Sequence, residues 1–289
     1  MYFLEKWSGI NGCEIQMVLE KILRESGLNE KQAIQLIRGL QHAPKSREVR
    51  SLPLDLPGLR FTVISDLHIG HRDYRPDILE HAIKYAKVNR SEFFLIPGDI
   101  LEGMSGREGH IYELNMLGAT KQLDYGEQQL KQIPVPIFAI TATNSHDGWF
   151  SAKNNAGFEI GPELERRMGG KFRFMGYDEA DLTFKNGLKI RITHPGDGVA
   201  YAVSYKLQKY INSLSGGQKP DLLFQGHYHK AMYMFYRNIH AFESGTLCQQ
   251  TPFMKKKMTP AMLGYWFIEV RFGGRGVQSI KPEFIPFYE

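Results

Sequence analysis

Residues 61–68 read Phe61-Thr62-Val63-Ile64-Ser65-Asp66-Leu67-His68, a short apolar run that ends in a carboxylate and an imidazole. An apolar run of this length, rich in β-branched and aromatic residues, predicts a buried strand. Similar runs follow at 93–96 and 136–140, and helical patterns lie between them, at about 76–88 and between 112 and 133. Strands that alternate with helices predict βαβ units and a largely parallel sheet.

Polar residues come directly after each of these strands. Asp66 and His68 follow the first strand, Gly98-Asp99 follows the second, and Asn144-Ser145-His146-Asp147 follows the third. Because the carboxyl ends of parallel strands lie side by side and form the ligand-binding edge, these segments are expected to meet. Two later segments add imidazoles after predicted strands, His194 and Gly226-His227-Tyr228-His229. First-row divalent metals accept this mixture of carboxylate, imidazole and amide oxygen.

Each of these motifs has a structural alternative when it stands alone. Asp-x-His after a strand is more often a turn or a helix N-cap, and Gly-Asp is usually a turn. A single buried histidine such as His194 is more often a hydrogen-bonded core residue, and Gly-His-x-His is as often a polar strand end as a ligand pair. Their succession, each after its own strand, favours a metal site over a series of unrelated turns.

The second half of the chain turns to hairpins. The runs at 181–185 and 188–192 flank Asn186-Gly187, which predicts a type I′ hairpin turn. After a helical pattern at 199–214, further strands are predicted at 222–224, 232–236 and 265–272. Two packed sheets with outer helices accommodate both halves. The predicted fold class is therefore α/β, a two-sheet β-sandwich flanked by helices.

The first 57 residues have a different pattern. The apolar spacing predicts two short amphipathic helices, one on either side of Gly27, and the segment from 43 to 57 contains three prolines, as a linker would. We therefore expect a helical appendage and linker at 1–57 and the main domain at 58–289. Such a helical pair usually packs on its own domain or on a partner protein, and a DNA-binding helix-turn-helix is the alternative.

The composition limits the kinds of binding partner and the cellular compartment that we expect. The 36 Lys and Arg residues against 31 Asp and Glu give a net charge of +5, which mildly favours a polyanion such as nucleic acid. The two cysteines, Cys13 and Cys248, have no CxxC spacing, which argues against a disulfide framework and a cysteine zinc site. With no signal-peptide pattern and no run of 18 apolar residues, we expect a cytoplasmic protein that does not bind membranes.

Taken together, the five motifs resemble those of the calcineurin-like metallophosphoesterase superfamily, over roughly Phe61 to His229. The resemblance implies the metallophosphoesterase fold and a dinuclear metal site at the strand ends. By motif position, it implies that Asp66, His68 and His229 bind one metal, that Asn144, His194 and His227 bind the other, and that Asp99 bridges the two.

The resemblance also implies a phosphoesterase mechanism. Two divalent cations share one water, lower its pKa and direct the resulting hydroxide at phosphorus. His146 resembles the general acid that protonates the leaving alkoxide, and Asp147 resembles the carboxylate that orients His146. Manganese is the expected metal, with iron or zinc as alternatives, because availability often decides among them.

The third motif departs from the family pattern, which is usually Gly-Asn-His followed by an acidic residue. Here the sequence is Thr143-Asn144-Ser145-His146-Asp147. Either Asn144 binds the metal across a one-residue bulge, or Ser145 occupies the ligand position, and we take Asn144 as the ligand. A neutral hydroxyl is a poor ligand, so Ser145 would hold the second metal more weakly.

The segment after His229 has a looser resemblance to the nuclease branch of the superfamily, which includes Mre11-type exonucleases and the small subunit of archaeal D-family DNA polymerase. Lys255-Lys256-Lys257 in this segment could contact a phosphate backbone or form a solvated loop. We therefore expect a phosphodiesterase or nuclease that acts on DNA. The alternatives are a phosphomonoesterase acting on phosphoprotein or nucleotide, and a non-catalytic scaffold that keeps the fold.

Overall fold

A computed structural model describes residues 48–52 (backbone only), 58–151, 157–273 and 276–288. The strands are β1 (Glu48–Leu52), β2 (Gly58–Val63), β3 (Phe93–Pro97), β4 (Ile137–Thr141), β5 (Phe172–Tyr177), β6 (Glu179–Phe184), β7 (Lys189–Thr193), β8 (Leu222–Gln225), β9 (Ala231–Tyr236), β10 (Ile239–Ser244), β11 (Gly264–Gly273) and β12 (Gly276–Pro286). The α-helices are α1 (Pro76–Val88), α2 (Ala119–Leu130), α3 (Ile160–Met168), α4 (Tyr205–Ser213) and α5 (Pro252–Lys256). Among these helices, none has the length and apolar character needed to cross a bilayer.

The strands form two mixed sheets. The first sheet has the order β1-β6-β7-β8-β10-β9, and the second sheet has the order β12-β11-β2-β3-β4-β5. The pairs β2–β3, β3–β4 and β4–β5 are parallel, whereas β11 pairs antiparallel with both β2 and β12. The predicted fold class, two sheets flanked by helices, is confirmed. The expectation of a largely parallel sheet holds for β2 to β5. In the first sheet, β1–β6, β7–β8 and β8–β10 also pair in parallel, whereas β6–β7 and β9–β10 pair antiparallel.

Alternating side chains divide the core into layers. Phe61 and Val63 of β2 point between the two sheets, where they pack with residues such as Phe224 of β8. Phe94 and Ile96 of β3 point the other way, to the layer that contains helices α1 and α2. A smaller cluster joins α4 to the outer face of the first sheet. Because β3 and β4 are covered on both faces, they are buried along their whole length, as central strands of a layered α/β fold should be.

Two local predictions need correction. Only Gly187 of the Asn186-Gly187 pair has a positive φ, so the loop between β6 and β7 is not the type I′ turn that the sequence predicts. Arg237 and Asn238 both have positive φ and join β9 to β10 in a two-residue turn, which is the pattern of a type I′ hairpin. Asn-Gly is therefore a good indicator of a hairpin here but a poor indicator of its turn type.

The segment at 43–57 is more than a linker, because β1 lies inside it and pairs in parallel with β6. The first sheet thus begins about ten residues before the predicted boundary at 58. The two predicted N-terminal helices lie outside the described residues, and the domain division remains a prediction.

Candidate metal centre

The predicted ligands lie where strands end, and most of them have an unusual backbone. Positive φ angles occur at five of them: Asp66 (49°), His68 (53°), Asp99 (47°), His227 (82°) and His229 (53°). Left-handed backbone is uncommon for residues other than glycine and costs free energy. Its recurrence at these positions shows that the loops are shaped to turn carboxylates and imidazoles toward one place.

The first cluster consists of Asp66, His68 and His229. The Nε2 atom of His229 lies 3.4 Å from Asp66 Oδ1 and 2.9 Å from His68 Nε2. All three side chains are buried or nearly so. Their donor atoms converge, as the three ligands of one cation would.

The second cluster consists of Asp99, His194 and His227. His194 Nε2 lies 3.1 Å from Asp99 Oδ2, and the same carboxylate oxygen lies 4.0 Å from His68 Nε2 of the first cluster. Asp99 therefore stands between the two clusters, as the predicted bridging residue should. His194 and His227 each contact a backbone carbonyl through the other ring nitrogen, at Pro97 and Asp197 respectively (2.6 and 2.8 Å).

Two glycines allow the sheets to approach each other at this point. A Cβ atom on Gly98 would lie 2.5 Å from His194 Nδ1, and φ at Gly98 is +92°. A Cβ atom on Gly226 would lie 2.5 Å from the carbonyl oxygen of Pro97. The glycines of the Gly-Asp and Gly-His motifs are thus needed to bring β3, β7 and β8 together, since any side chain would push them apart.

The third motif presents Ser145 rather than Asn144 to the centre. Ser145 is buried and donates its hydroxyl proton to Asp99 Oδ2 at 2.7 Å, whereas Asn144 is exposed. The expectation that Asn144 is the ligand is therefore not supported by this arrangement. Ser145 has an extended backbone at the start of the short 3₁₀ helix His146–Phe150, and this conformation directs residue 145, not its predecessor, inward.

Glu102 is the carboxylate that orients His146, a role that the resemblance assigned to Asp147. His146 Nδ1 lies 3.0 Å from the backbone oxygen of Glu102 and 3.2 Å from its Oε2. The same carboxylate is bonded to His68 Nδ1 and to His110 Nε2, each at 2.7 Å. Asp147 Oδ1 instead accepts hydrogen bonds from the backbone N–H groups of Ile100 and Leu101. Asp147 therefore anchors the loop that carries Asp99.

Sequence reasoning missed Glu102 and His110. Glu102 lies three residues after Asp99, and that spacing was the only available clue. Its importance comes from contacts made by segments far apart in the chain.

The charges of the centre depend on one another. Burial raises the pKa of Asp99, but the imidazoles of His194 and His146 outweigh it and hold this pKa well below its ordinary value. Burial lowers the pKa of His146, yet the carboxylates of Glu102 and Asp99 raise it to about 9. Burial and the charge of Asp99 raise the pKa of Asp147 to about 7. Without a cation, Asp99 is thus ionised beside protonated imidazoles.

The donor set fits divalent metals. Asp99 Oδ1, His194 Nε2 and His229 Nδ1 are buried without a hydrogen-bond partner in the described structure, which is costly for polar atoms. Two imidazole nitrogens, those of His68 and His229, also face each other at 2.9 Å beside a carboxylate. Cations at the two clusters would give the unpartnered atoms of Asp99 and His194 a partner. The facing ring nitrogens of His68 and His229 would then both be metal ligands.

Four of the cluster residues form the floor of an open cleft of about 670 Å³: His68 and His229 of the first cluster, and Asp99 and His227 of the second. One wall carries Arg107, Phe253 and Lys257, and another carries Asp197 and Val199. His146 lies between the floor and Trp149, whose ring centroid is 4.1 Å from that of His146. The cleft therefore offers a cation-binding floor and a wall that is both aromatic and basic.

No family model matches the chain. In sequence it is similar to the DNA polymerase II small subunit of Methanocaldococcus jannaschii, with 23% identity over 248 residues, covering 69% of this chain and 41% of the relative. The corresponding subunit of Archaeoglobus fulgidus is 23% identical over 233 residues, covering 67% and 47%. The chain resembles the calcineurin-like metallophosphoesterases. The predicted likeness to polymerase small subunits is confirmed, although the chain spans less than half of these relatives' length.

Similar solved structures are more distant. An archaeal phosphodiesterase has a TM-score of 0.45 and 14% identity, with 78% of this chain and 100% of that chain covered. Vps29 of Entamoeba histolytica complexed with zinc has a TM-score of 0.40 and 13% identity, with 80% and 100% covered. The phosphoesterase Yfce of E. coli has a TM-score of 0.39 and 14% identity, with 77% and 98% covered. Likenesses at this distance say nothing about the activity of this chain.

Proposed function

We propose that this chain is a metal-dependent phosphodiesterase that cleaves DNA. The observation that carries the proposal is the convergence of Asp66, His68 and His229 with His194 and His227 around Asp99, at strand ends of both sheets. The order of these residues along the chain is that of the phosphoesterase motifs.

The two clusters would hold one cation each, with Asp99 shared. When bound, the cations would supply positive charge for the phosphoryl oxygens and a water acidic enough to act as the nucleophile. Imidazole and carboxylate ligands suit manganese, which we expect, and also iron or zinc. The carbonyl groups of Pro97 and Asp197 fix the rings of His194 and His227, so that the nitrogen facing the cleft is the one free to bind.

His146 is the proposed general acid. Its Nδ1 donates to the backbone oxygen of Glu102, which leaves Nε2 free to deliver a proton to the leaving oxygen. In the metal-free protein, the carboxylates of Glu102 and Asp99 favour the protonated imidazole and raise the pKa of His146 to about 9. Trp149 packs on the imidazole and limits its rotation.

A DNA substrate is supported by three independent features. The cleft is open at the surface and has Arg107 and Lys257 on one wall. The chain carries a net charge of +5, which favours approach to a polyanion. Its relatives include small subunits of DNA polymerase II.

The direct test is a cleavage assay on DNA with defined ends, single-stranded and double-stranded, with manganese added. We expect cleavage that is lost with a chelator and in Asp99→Asn. Absence of cleavage on every nucleic acid and with every metal would refute the proposal. A preference for p-nitrophenyl phosphate over bis-p-nitrophenyl phosphate would instead support a phosphomonoesterase.

A scaffold without catalysis is favoured by one observation, the hydroxyl of Ser145 on Asp99 Oδ2. Metal analysis separates it from the enzyme. A chain that takes up no metal after incubation with manganese would support the scaffold.

A further inference from the structure

We propose that the wall of the cleft formed by Phe253, Arg107 and Lys257 is a subsite for a nucleobase and its neighbouring phosphate, so that the centre acts on nucleoside phosphates. The inference rests on the proposed function, because it assumes that a phosphoryl group is held over the metal clusters. It adds the recognition of the group attached to that phosphoryl.

Phe253 is an exposed aromatic ring on a well-anchored segment. Its side chain is 45% exposed although it lines the cleft. The next residue, Met254, is buried, and its N–H donates to the hydroxyl of Thr251 at 3.2 Å. Gln250 donates to the carbonyl oxygen of Thr259 at 2.8 Å and closes the segment. A ring held in place by its neighbours can stack on a planar ligand with little loss of conformational entropy.

Two cations flank this ring. The guanidinium of Arg107 lies 5.0 Å from the ring centroid, and the ammonium of Lys257 lies 6.0 Å from it. Both distances allow cation–π attraction. An aromatic face beside positive charge is the combination that binds single-stranded nucleic acid, in which bases stack and phosphates pair with cations.

The two cations have different surroundings. Glu113 accepts hydrogen bonds from both terminal nitrogens of Arg107, at 3.2 and 2.7 Å, and so fixes the guanidinium in place. Glu113 also lies 3.5 Å from His71. For Lys257, no carboxylate within salt-bridge distance is found in the part of the chain that the structure describes. Lys257 is thus the group free to meet a phosphate, whereas Arg107 mainly supports the ring.

The chemistry of the whole cleft agrees with this division. The metal clusters would take the phosphoryl group, Phe253 would take a flat apolar group attached to it, and Lys257 would take a second negative charge. A nucleotide within a chain has all three of these features. A phosphate ester with a short alkyl group has only the first.

The test is calorimetric binding to the manganese-loaded protein, with thymidine 5′-monophosphate, deoxyribose 5-phosphate and O-phosphotyrosine as probes. We expect the nucleotide to bind about tenfold more tightly than the sugar phosphate, since stacking of a base on an aromatic side chain has an effect of this order. Phe253→Ala should abolish the difference. Phe235→Ala removes a ring that is also exposed, on β9 outside the cleft, and should leave the difference intact.

Lys257→Gln is tested with the 5′-phosphorylated thymidine dinucleotide, which has the neighbouring phosphate that the monophosphate lacks. The substitution should weaken binding of this dinucleotide by several-fold, more at low salt than at high salt, because it removes an exposed charge. Equal affinity of wild type for the nucleotide and the sugar phosphate would overturn the proposal, and so would phosphotyrosine binding as tightly as the nucleotide. Hydrolysis of methyl p-nitrophenyl phosphate by the same preparation tests the proposed function separately. If that ester is cleaved and the base has no effect, the subsite is wrong and the enzyme assignment stands.

Discussion

The first and second clusters of the centre differ in the carboxylates that support them. The first cluster has its own carboxylate, Asp66, and its His68 is bonded to the carboxylate of Glu102 at 2.7 Å. The second cluster has only Asp99, which also faces the first, and its two imidazoles are bonded to neutral backbone carbonyls. Since carboxylate partners raise the basicity of a ligating imidazole, the first cluster should bind its cation more tightly. The two clusters are therefore expected to bind their cations with unequal affinity.

The largest effect is expected for Asp99→Asn, which removes the charge that both clusters share. Hydrolysis should fall by about three orders of magnitude or more, because both the nucleophile and the phosphoryl charge depend on paired cations. Metal content, measured by mass spectrometry after gel filtration, should fall at the second cluster first. Asp77→Asn, at an exposed carboxylate paired with Arg75, serves as the control. Full metal content and activity in Asp99→Asn would contradict the shared role.

His146→Ala should lower the rate on DNA by about two to four orders of magnitude, as loss of a general acid does. Metal bound at the first and second clusters should not change, because His146 is a member of neither and lies with His68 and Glu102 in a separate group. The loss should be much smaller for a p-nitrophenyl ester, whose leaving group needs no proton. An equal loss on both substrates would mean that His146 acts on the cations or on binding.

Glu243→Gln tests how the negative charge of ionised Glu243, near the first cluster, changes the free energy of unfolding. Burial raises the pKa of Glu243 from its ordinary 4.5 to about 9. The positive charge of Lys230 lowers this pKa and the negative charge of Asp66 raises it, and both effects are smaller than that of burial. The folded state thus holds this proton more tightly than the unfolded chain. The stabilisation is complete below pH 4.5 and is lost as the pH rises toward 9.

Glutamine does not ionise, so at pH 8 Glu243→Gln should raise the free energy of unfolding of the metal-free protein by about 4–5 kcal/mol. At pH 4.5 the two proteins should be alike. Urea unfolding at both pH values measures this, with the exposed Glu80→Gln as control. A pH-independent difference would show that Glu243 is not the titrating group.

Ser145→Asn should have the smallest effect of these substitutions. It tests directly the expected difference in cation affinity between the first and second clusters. An amide oxygen at residue 145 would be offered to the second cluster in place of a hydroxyl that now bonds to Asp99. Affinity for the second cation, measured by calorimetric titration with manganese, should rise about tenfold, as small changes around a metal ligand typically do. Ser145→Ala is the matched control and should bring no gain. A second cation that Ser145→Asn binds no more tightly than the wild type would contradict the role given to residue 145.

Much of this arrangement could be predicted from the sequence, because it follows from strand order. Parallel strands end at one edge, so Asp66, Asp99 and His146 were expected to meet before any coordinates were known. The α1 helix was also predictable, with Pro76 at its first position and Lys87 in its last turn. These features depend on local pattern and on one general property of sheets.

Other features depend on contacts that no local pattern contains. Glu102 gains its role from His68, His110 and His146, which come from three separate segments. The choice between Asn144 and Ser145 depends on one backbone conformation, since residue 145 is extended where the strand has already ended. A shift of one residue reverses which side chain points inward.

The left-handed backbone at Asp66, His68, Asp99, His227 and His229 has an evolutionary consequence. Glycine would adopt these conformations without strain, so backbone conformation alone would favour glycine at each of them. A selection against backbone strain alone would therefore favour substitutions that erase the ligands. Retention of these five side chains in a natural sequence indicates that selection has maintained something other than the durability of the fold.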